Sequence, residues 1–289
     1  MLKTAIWGAT GHIGRALYEE FTANGLDVTA YVRDTEKAKR LGIDNPYPLD
    51  SFNNRYDILI NALAADDNAG TLLFETLELN DWRMIRYAQA NPGCLCVNFS
   101  SGTVYGDFTN AATKTTSTQI TPNDISTGGR YALVKLLCEQ RHKAYALKIV
   151  DIRIFAFYSK FMDITKPFFM ADLLRGVLTD TEIQISPGNF YRDFIAPSDL
   201  YDLIILCRSQ GFTGALDAYS LKPVSKYEIL ELFKSKYGLK YSTGESWSSA
   251  TGDKHRYYSN YKAAEFLGFQ PKFTALSVIE TQTDALRQV

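Results

Sequence analysis

The first 155 residues alternate between short apolar runs and longer amphipathic stretches. The apolar runs have the length of strands and read KTAIWG, DVTAYVR, YDILINAL, CLCVNFSS and KIVDIRIF. Strands this apolar have to be buried on both faces, and neighbouring parallel strands need helical crossovers between them. The pattern therefore predicts an α/β fold with a doubly wound parallel sheet.

The alternation breaks down after Phe155, where short mixed elements follow without a linker rich in proline or serine. We predict a main domain over residues 1–155, with residues 193–210 packing back on it. Residues 156–289 are expected to form a smaller, interleaved C-terminal region that binds the substrate. The chain has 289 residues, of which 46% are hydrophobic and 22% charged. This composition is typical of a globular protein with a large core.

A glycine-rich turn, WGATGHIGR, follows the first predicted strand and opens a helix expected from about His12 to Asn24. Such a turn aims the helix N-terminus at a diphosphate, and glycine lets the backbone approach it closely. The turn predicts a Rossmann-type site for a dinucleotide, although a plain tight turn has the same spacing. The residues expected to bind the cofactor here are Gly8, Thr10, Gly11, His12, Ile13 and Gly14.

The end of the second strand bears on the choice between NAD and NADP. NAD enzymes place an acidic residue there, which accepts hydrogen bonds from the adenosine ribose. Here Val32 stands at that point, followed by Arg33 and, nearby, Lys37. Because an arginine can pair with a 2′-phosphate, we favour NADP(H) over NAD(H). The adjacent Asp34 leaves NAD open, and Arg33 also fits a solvated surface position.

Tyr131 and Lys135 lie four residues apart in GGRYALVKLLCE, on one face of a predicted helix. Ser101 lies upstream in SSGTVYG. A ketone that receives a hydride needs a proton on its oxygen, and a nearby ammonium helps a tyrosine to exchange one. An amphipathic helix with a snorkelling lysine is the structural alternative.

In this order behind the glycine turn, Ser101, Tyr131 and Lys135 resemble the catalytic set of the extended short-chain dehydrogenases/reductases. This NAD(P)-dependent epimerase/dehydratase family mostly modifies nucleotide sugars. The resemblance implies that Ser101 orients the carbonyl, that Tyr131 is the acid/base, and that Lys135 also holds the nicotinamide ribose. It implies further cofactor contacts from Asn61, Ala62, Leu63, Asn80, Ser100, Tyr131 and Lys135. Capping of a loop and a helix is an equally good reading of the two asparagines.

The segment FYRDFIAPSDL resembles a family segment whose arginine clamps the diphosphate of the substrate. The implied substrate-binding residues are Ser101, Gly102, Thr103, Tyr131 and Arg192. A structural arginine paired with an aspartate is the alternative reading of Arg192. The sequence departs from the family pattern at Ala156, Ser159 and Ala196, so the pocket is expected to be atypical.

The residues after Ser101 narrow the reaction. The 4,6-dehydratases of the family carry Asp-Glu there, whereas Gly102 and Thr103 offer neither an acid nor a base. We therefore predict an NADP-dependent reductase of a 4-keto nucleotide sugar. A nucleotide-sugar 4-epimerase with tightly bound NAD(P) is the first alternative. A non-catalytic NADP-sensing regulator is the second, although such proteins typically lose the tyrosine or the lysine.

Bulk properties point away from several other classes. A net charge of −1 and a pI near 6.3 argue against nucleic acid as a partner. No apolar run approaches the roughly 20 residues of a membrane span, and the start has no signal-peptide pattern. Four scattered cysteines and three histidines predict no metal site. We expect a cytoplasmic protein, and the family resemblance allows a homodimer through the helices that flank the active site.

Overall fold

The computed structural model describes residues 1–64, 72–106, 108–113, 127–244 and 254–288, with only the backbone at 72–74 and 127–128. The strands are β1 (Lys3–Trp7), β2 (Asp27–Val32), β3 (Tyr47–Pro48), β4 (Ile58–Asn61), β5 (Leu95–Ser101), β6 (Ile149–Ile154), β7 (Ala156–Phe157), β8 (Ile183–Ile185), β9 (Tyr191–Arg192), β10 (Phe194–Ile195), β11 (Gly214–Asp217), β12 (Val224–Ser225), β13 (Tyr241–Thr243) and β14 (Arg256–Tyr257). The helices are α1 (His12–Ala23), α2 (Thr35–Arg40), α3 (Leu72–Ala90), α4 (Thr127–Ala144), α5 (Phe169–Thr179), α6 (Pro197–Gln210), α7 (Lys226–Tyr237) and α8 (Ala275–Leu286). Short 3₁₀ turns span Leu49–Ser51, Gly102–Tyr105 and Ala263–Leu267.

The central sheet has the strand order β3-β2-β1-β4-β5-β6-β11, and every neighbouring pair is parallel. The predicted doubly wound sheet of the Rossmann type is therefore confirmed. The strand order reverses between β1 and β4. In open parallel sheets, ligands bind in the crevice at the carboxyl ends of the strands at this reversal. Gly8 follows β1 and Asn61 ends β4, so both lie at this crevice.

Both faces of the sheet are covered, as the apolar strands require. Side chains alternate between the faces along β1. Ile6 packs in a cluster with α1 and α6, whereas Ala5 and Trp7 pack in a cluster with α3. The helix expected from about His12 to Asn24 forms as α1, His12–Ala23.

A second core holds the smaller region together. Helices α5, α7 and α8 bury an apolar cluster with the short strands β8, β10 and β12. The two regions are interleaved more deeply than the sequence pattern indicates, because β11 joins the edge of the central sheet beside β6. The residues around Ala264 and Phe269 also enter the first core. A division into two domains at residue 155 stays a prediction, and β11 lies beyond that boundary.

Residues 254–260 lie at the carboxyl edge of the large sheet. Strand β14 pairs with β9 in parallel, with Tyr257 in register with Arg192. The backbone of Arg256 donates to the carbonyl oxygen of Phe108, 2.8 Å away, and Ala112 donates to Tyr258 at 2.9 Å. These bonds fix residues 254–260 beside the end of β5.

Among the helices of the described ranges, none is both long and apolar enough to cross a membrane.

Candidate active site

The glycine turn folds so tightly that two of its glycines admit no side chain. Gly8 has φ +76°, and a Cβ atom there would lie 2.8 Å from the carbonyl oxygen of Ala62. A Cβ atom at Gly14 would lie 2.3 Å from the carbonyl oxygen of Gly8. Gly11 precedes α1, and no side chain of the described residues caps this helix. The N–H groups of the first turn are thus available to an anion such as a diphosphate.

His12 is the first residue of α1, and its ring meets Phe157 edge-on at a centroid distance of 5.0 Å. Its Nε2 atom is buried and has no hydrogen-bond partner among the described residues. Burial lowers the pKa of His12 to about 4, against a smaller upward effect of a hydrogen bond to the backbone of Ser159. The imidazole is neutral near pH 7, so it adds no positive charge to the backbone N–H groups at this helix end. Thr10 and Ile13 are half-buried beside it.

The loop after β4 forms the other side of the crevice. The side-chain oxygen of Asn61 accepts a bond from the backbone of Leu63 at 3.3 Å, and the backbone of Ala62 donates to Trp7 at 3.0 Å. Asn61 therefore shapes the loop that touches Gly8. Asn80 is half-buried on α3. A cofactor contact from either asparagine stays a prediction.

Arg33 is exposed directly after β2 and forms no hydrogen bond or ion pair within the described ranges. The neighbouring Asp34 caps α2, because its Oδ1 atom accepts a bond from the backbone of Lys37 at 2.9 Å. Arg33, which has no partner among the described residues, and Asp34, whose carboxylate caps α2, lie where the adenosine ribose of a dinucleotide would bind in this fold.

Ser101 ends β5 and is buried at the carboxyl edge of the sheet. Its Oγ atom accepts a bond from the backbone of Thr103 at 3.2 Å and lies 2.9 Å from the hydroxyl of Tyr257. A Cβ atom at Gly102 would lie 2.4 Å from the ring of Phe155, which therefore covers this residue. The Oγ1 atom of Thr103 is buried without a hydrogen-bond partner among the described residues.

Lys135 and Tyr131 share one face of α4, as predicted. The Nζ atom of Lys135 donates to the carbonyl oxygen of Phe99 at 2.7 Å and lies 5.5 Å from the ring centroid of Tyr131. Lys135 is 8% exposed and has no carboxylate partner within the described part of the chain. Its ammonium is thus fixed by the strand that ends in Ser101, which brings the three predicted catalytic residues to the same edge.

A buried polar network holds α4 against the sheet. The hydroxyl of Ser100 donates to Glu139 at 2.5 Å, and Arg153 forms two bonds to the same carboxylate at 2.9 and 2.6 Å. Arg153 also donates to the hydroxyl of Tyr105 at 2.8 Å, and that hydroxyl in turn donates to Asp217. The side chain of Ser100 thus belongs to this network, and a cofactor contact from Ser100 stays a prediction.

Arg192 lies in a cationic cluster that no carboxylate of the described residues neutralises. Its guanidinium donates to the carbonyl oxygens of Tyr191 at 2.9 Å and Lys254 at 2.6 Å. The Cζ atom of Arg192 lies 4.4 Å from the ring centroid of Phe190 and 5.7 Å from that of Tyr257. The Nζ atom of Lys254 lies 4.6 Å from the ring centroid of Tyr257.

Burial lowers the pKa of both cations. The pKa of Arg192 falls to about 10, at which the guanidinium stays charged near pH 7. Burial also lowers the pKa of Lys254 to about 8, and the nearby charge of Arg192 adds to that effect. Two partly desolvated cations side by side favour an anionic ligand, because an anion would offset both burial and mutual repulsion. No aspartate of the described residues pairs with Arg192, so within them the alternative reading of Arg192 as half of an ion pair has no support.

The sequence did not single out Lys254, Tyr257 or the Glu139–Arg153 pair. Tyr257 lies 156 residues from Ser101 in the chain, and no motif spacing links them. For Glu139 alone the sequence held a signal. It lies four residues after Lys135, which places both side chains on one face of the helix. No group of three or more histidine, cysteine or acidic residues suited to a metal ion occurs in the described ranges.

The sequence model of the NAD dependent epimerase/dehydratase family matches residues 4–220. The chain belongs to this family, and the resemblance drawn from the catalytic motif is confirmed. A nicotinamide dinucleotide is accordingly its cofactor class, and the narrow glycine turn and uncapped α1 fit that group. No curated protein matches the chain significantly.

Several solved structures share the fold over nearly the whole chain. MoeE5 in complex with UDP-glucose and NAD is 22% identical, with 99% of each chain covered and a TM-score of 0.76. The UDP-glucuronic acid 4-epimerase of Bacillus cereus is 15% identical, with 99% of each chain covered and a TM-score of 0.78. The UDP-N-acetylglucosamine 4-epimerase of Methanobrevibacter ruminantium M1 is 17% identical, with 100% and 99% coverage and a TM-score of 0.78. At these identities the likeness establishes a common fold.

Proposed function

We propose that this protein is an NADP-dependent oxidoreductase that reduces the 4-keto group of a nucleotide sugar. One arrangement carries the proposal. The hydroxyl of Tyr257 lies 2.9 Å from Ser101, while Lys254 and Arg192 lie against the ring of the same tyrosine. A site for an anion therefore adjoins the site for a reacting carbonyl. A sugar joined to a diphosphate has this distribution of groups.

Ser101, Tyr131 and Lys135, at the carboxyl edge of the sheet, have separate roles in the proposed reaction. A bound nicotinamide supplies the hydride. Ser101 donates a hydrogen bond to the carbonyl oxygen, which gains negative charge as the hydride arrives. Tyr131 delivers the proton that completes the alcohol, and Lys135 favours the resulting phenolate through its charge. The bond to Phe99 holds the ammonium of Lys135 in place for this role.

The choice of NADP rests on Arg33. It is exposed, free of partners among the described residues, and adjacent to a carboxylate that is already engaged in capping α2. A guanidinium in this position suits a 2′-phosphate, which a free carboxylate would repel.

The residues after Ser101 also support a reductase over a dehydratase. Gly102 is covered by Phe155, and Thr103 carries a hydroxyl, so neither provides an acid or base to expel a 6-hydroxyl. The second candidate is a nucleotide-sugar 4-epimerase with tightly bound NAD(P). Its support is the common fold with proteins named as UDP-sugar 4-epimerases.

A homodimer through α3 and α4 and a cytoplasmic location remain predictions. Leu79 on α3 is 61% exposed and Leu137 on α4 is 44% exposed, which supports a contact between copies on this side. Sedimentation of the purified protein, with Leu137→Glu as the disrupting variant, tests the dimer.

The proposed reaction is tested by offering NADPH and a panel of 4-keto-6-deoxy nucleotide sugars to the purified protein. We expect loss of NADPH in equal amount to a product that has gained two hydrogens. An isomer of unchanged mass, formed from an intact nucleotide sugar without net loss of NADPH, would instead establish the epimerase.

A further inference from the structure

Tyr257 contacts Ser101 in the candidate active site, although the two residues are 156 positions apart in the chain. The backbone bonds of residues 256–260 to Phe108 and Ala112 fix its strand beside the end of β5. Its ring packs against Phe108 and Phe155, with centroid distances of 4.9 and 5.2 Å, and is 6% exposed. This packing places the phenol hydroxyl against Ser101, at 2.9 Å from its Oγ atom.

The hydrogen bonds at Ser101 determine what its hydroxyl can do. A serine hydroxyl has one proton to donate and two lone pairs that accept. The backbone of Thr103 already donates to one lone pair at 3.2 Å. If Tyr257 donates to the second, both lone pairs are filled, and the proton of Ser101 is the group left for a ligand. If Ser101 donated to Tyr257 instead, that proton would be lost to the substrate.

The surroundings of Tyr257 favour the first arrangement. A phenol is a stronger hydrogen-bond donor than an alkyl hydroxyl, and Lys254 and Arg192 at its ring strengthen it further. Burial raises the pKa of Tyr257 by more than the hydrogen bonds of Ser101 and Thr103 and the charge of Arg192 lower it. The phenol therefore keeps its proton over the range in which the protein works.

We propose that Tyr257 is a positioning residue, which donates to Ser101 and so directs the serine proton at the substrate carbonyl oxygen. This inference rests on the proposed function, in which Ser101 binds that oxygen. Tyr257 itself need not touch the substrate carbonyl. A chain of two hydroxyl bonds also polarises Ser101 more than the serine would be polarised alone.

The test is a double-mutant cycle on the holoenzyme with the nucleotide sugar that the wild type reduces. Tyr257→Phe keeps the ring and its packing and removes only the hydroxyl. We expect kcat to fall about five- to tenfold, which corresponds to the loss of one hydrogen bond, while KM and the Kd for NADPH stay within about twofold. In a Ser101→Ala background, Tyr257→Phe should lower kcat no further. Tyr258→Phe, on the half-buried neighbour, is the matched control and should leave kcat unchanged.

Three results would overturn the inference while leaving the reductase intact. These are an unchanged kcat in Tyr257→Phe, a rise in KM alone, or an equal fall in kcat with and without the serine hydroxyl. A wild type that turns over no nucleotide sugar would instead contradict the proposed function, and this inference with it.

A second variant covers the case in which Tyr257→Phe does not fold. Difluorotyrosine at position 257 keeps the hydroxyl but ionises at lower pH, with Tyr131, Arg192 and Lys254 as the neighbouring titratable groups. An ionised phenol accepts the proton of Ser101 instead of donating to it. We therefore expect a fall in kcat at alkaline pH that the wild type lacks, and an unchanged pH profile would contradict the role.

Discussion

The ammonium of Lys135 lies 5.5 Å from the ring centroid of Tyr131, and a 2.7 Å bond to the carbonyl oxygen of Phe99 holds it there. We expect Tyr131→Phe to lower kcat by at least about a hundredfold, because the proton donor is lost. The Kd for NADPH should change by less than about twofold, since the phenyl ring remains. Stopped-flow turnover and fluorescence titration measure the two effects. Retention of most of the activity would contradict the role of Tyr131.

Arg33 is predicted to select NADPH over NADH. Its replacement in Arg33→Ser should raise the Kd for NADPH about tenfold or more, because a charged pair with the 2′-phosphate is lost. The Kd for NADH should stay within about twofold. Lys39→Ser is the matched control, since Lys39 is an exposed cation that pairs with Glu36 on the same helix. Equal weakening of both cofactors by Arg33→Ser would contradict the proposed preference.

Lys254 is predicted to attract the substrate in a pH-dependent way. The pKa of Lys254 is lowered to about 8, so its charge is present below that pH and lost above it. The KM for the nucleotide sugar should therefore rise between pH 7 and pH 9 in the wild type. In Lys254→Met, KM should be about tenfold higher at pH 7 and should lose most of this rise.

Lys240→Met is the control for Lys254, because Lys240 is exposed and pairs with Asp180. A KM that responds equally to the two substitutions would place the anion site elsewhere.

The glycine turn gives a prediction about stability and cofactor binding together. Gly14→Ala puts a Cβ atom 2.3 Å from the carbonyl oxygen of Gly8, so the turn has to open. We expect a lower melting temperature and a loss of NADPH binding of more than about tenfold. Gly93→Ala is the control, because a Cβ atom there meets nothing within 4 Å. Normal NADPH binding by Gly14→Ala would contradict the close approach of the backbone to the cofactor.

His142 links the stability of the fold to pH. Its two ring nitrogens lie 2.7 Å from Asp81 and 2.9 Å from Asp151, all three side chains being buried. Burial alone would lower the pKa of His142, but the bonds and charges of Asp151 and Asp81 outweigh it and raise the pKa from 6.5 to about 9. The stabilisation is complete below about pH 6.5 and is lost as the pH rises through about 9, for a total of about 3 kcal/mol.

Urea unfolding between pH 6 and pH 9.5 measures this effect. The free energy of unfolding should fall across the range in the wild type and in His255→Gln, whose histidine is exposed. In His142→Gln the fall should be largely absent. An equal slope in all three proteins would show that other groups control the pH dependence.

Local chemistry explains why many residues of the candidate site could be proposed from the sequence. The glycine turn, the serine at the end of β5 and the Tyr131–Lys135 pair are each defined by neighbours along the chain. Their meeting follows from the parallel sheet, because the carboxyl ends of its strands share one edge. The identity of the family was predictable for the same reason.

The contribution of residues 254–260 could not be predicted in this way. Tyr257 reaches Ser101 through a two-residue strand, and such a strand depends on tertiary pairing more than on its own composition. The placement of β11 in the large sheet was missed because its four residues, Gly214–Asp217, form no apolar run of the length seen in the predicted strands of that sheet. Both cases are long-range contacts without a periodic signal.

The proposed reaction is tested most directly with NADPH that carries deuterium at both positions of the reactive carbon of the nicotinamide. When the purified protein reduces a 4-keto nucleotide sugar with this cofactor, the product should gain one deuterium at C4 and one ordinary hydrogen on oxygen. Tyr131→Phe should transfer almost none. A product without deuterium, or an isomer formed while the labelled NADPH is untouched, would contradict the account.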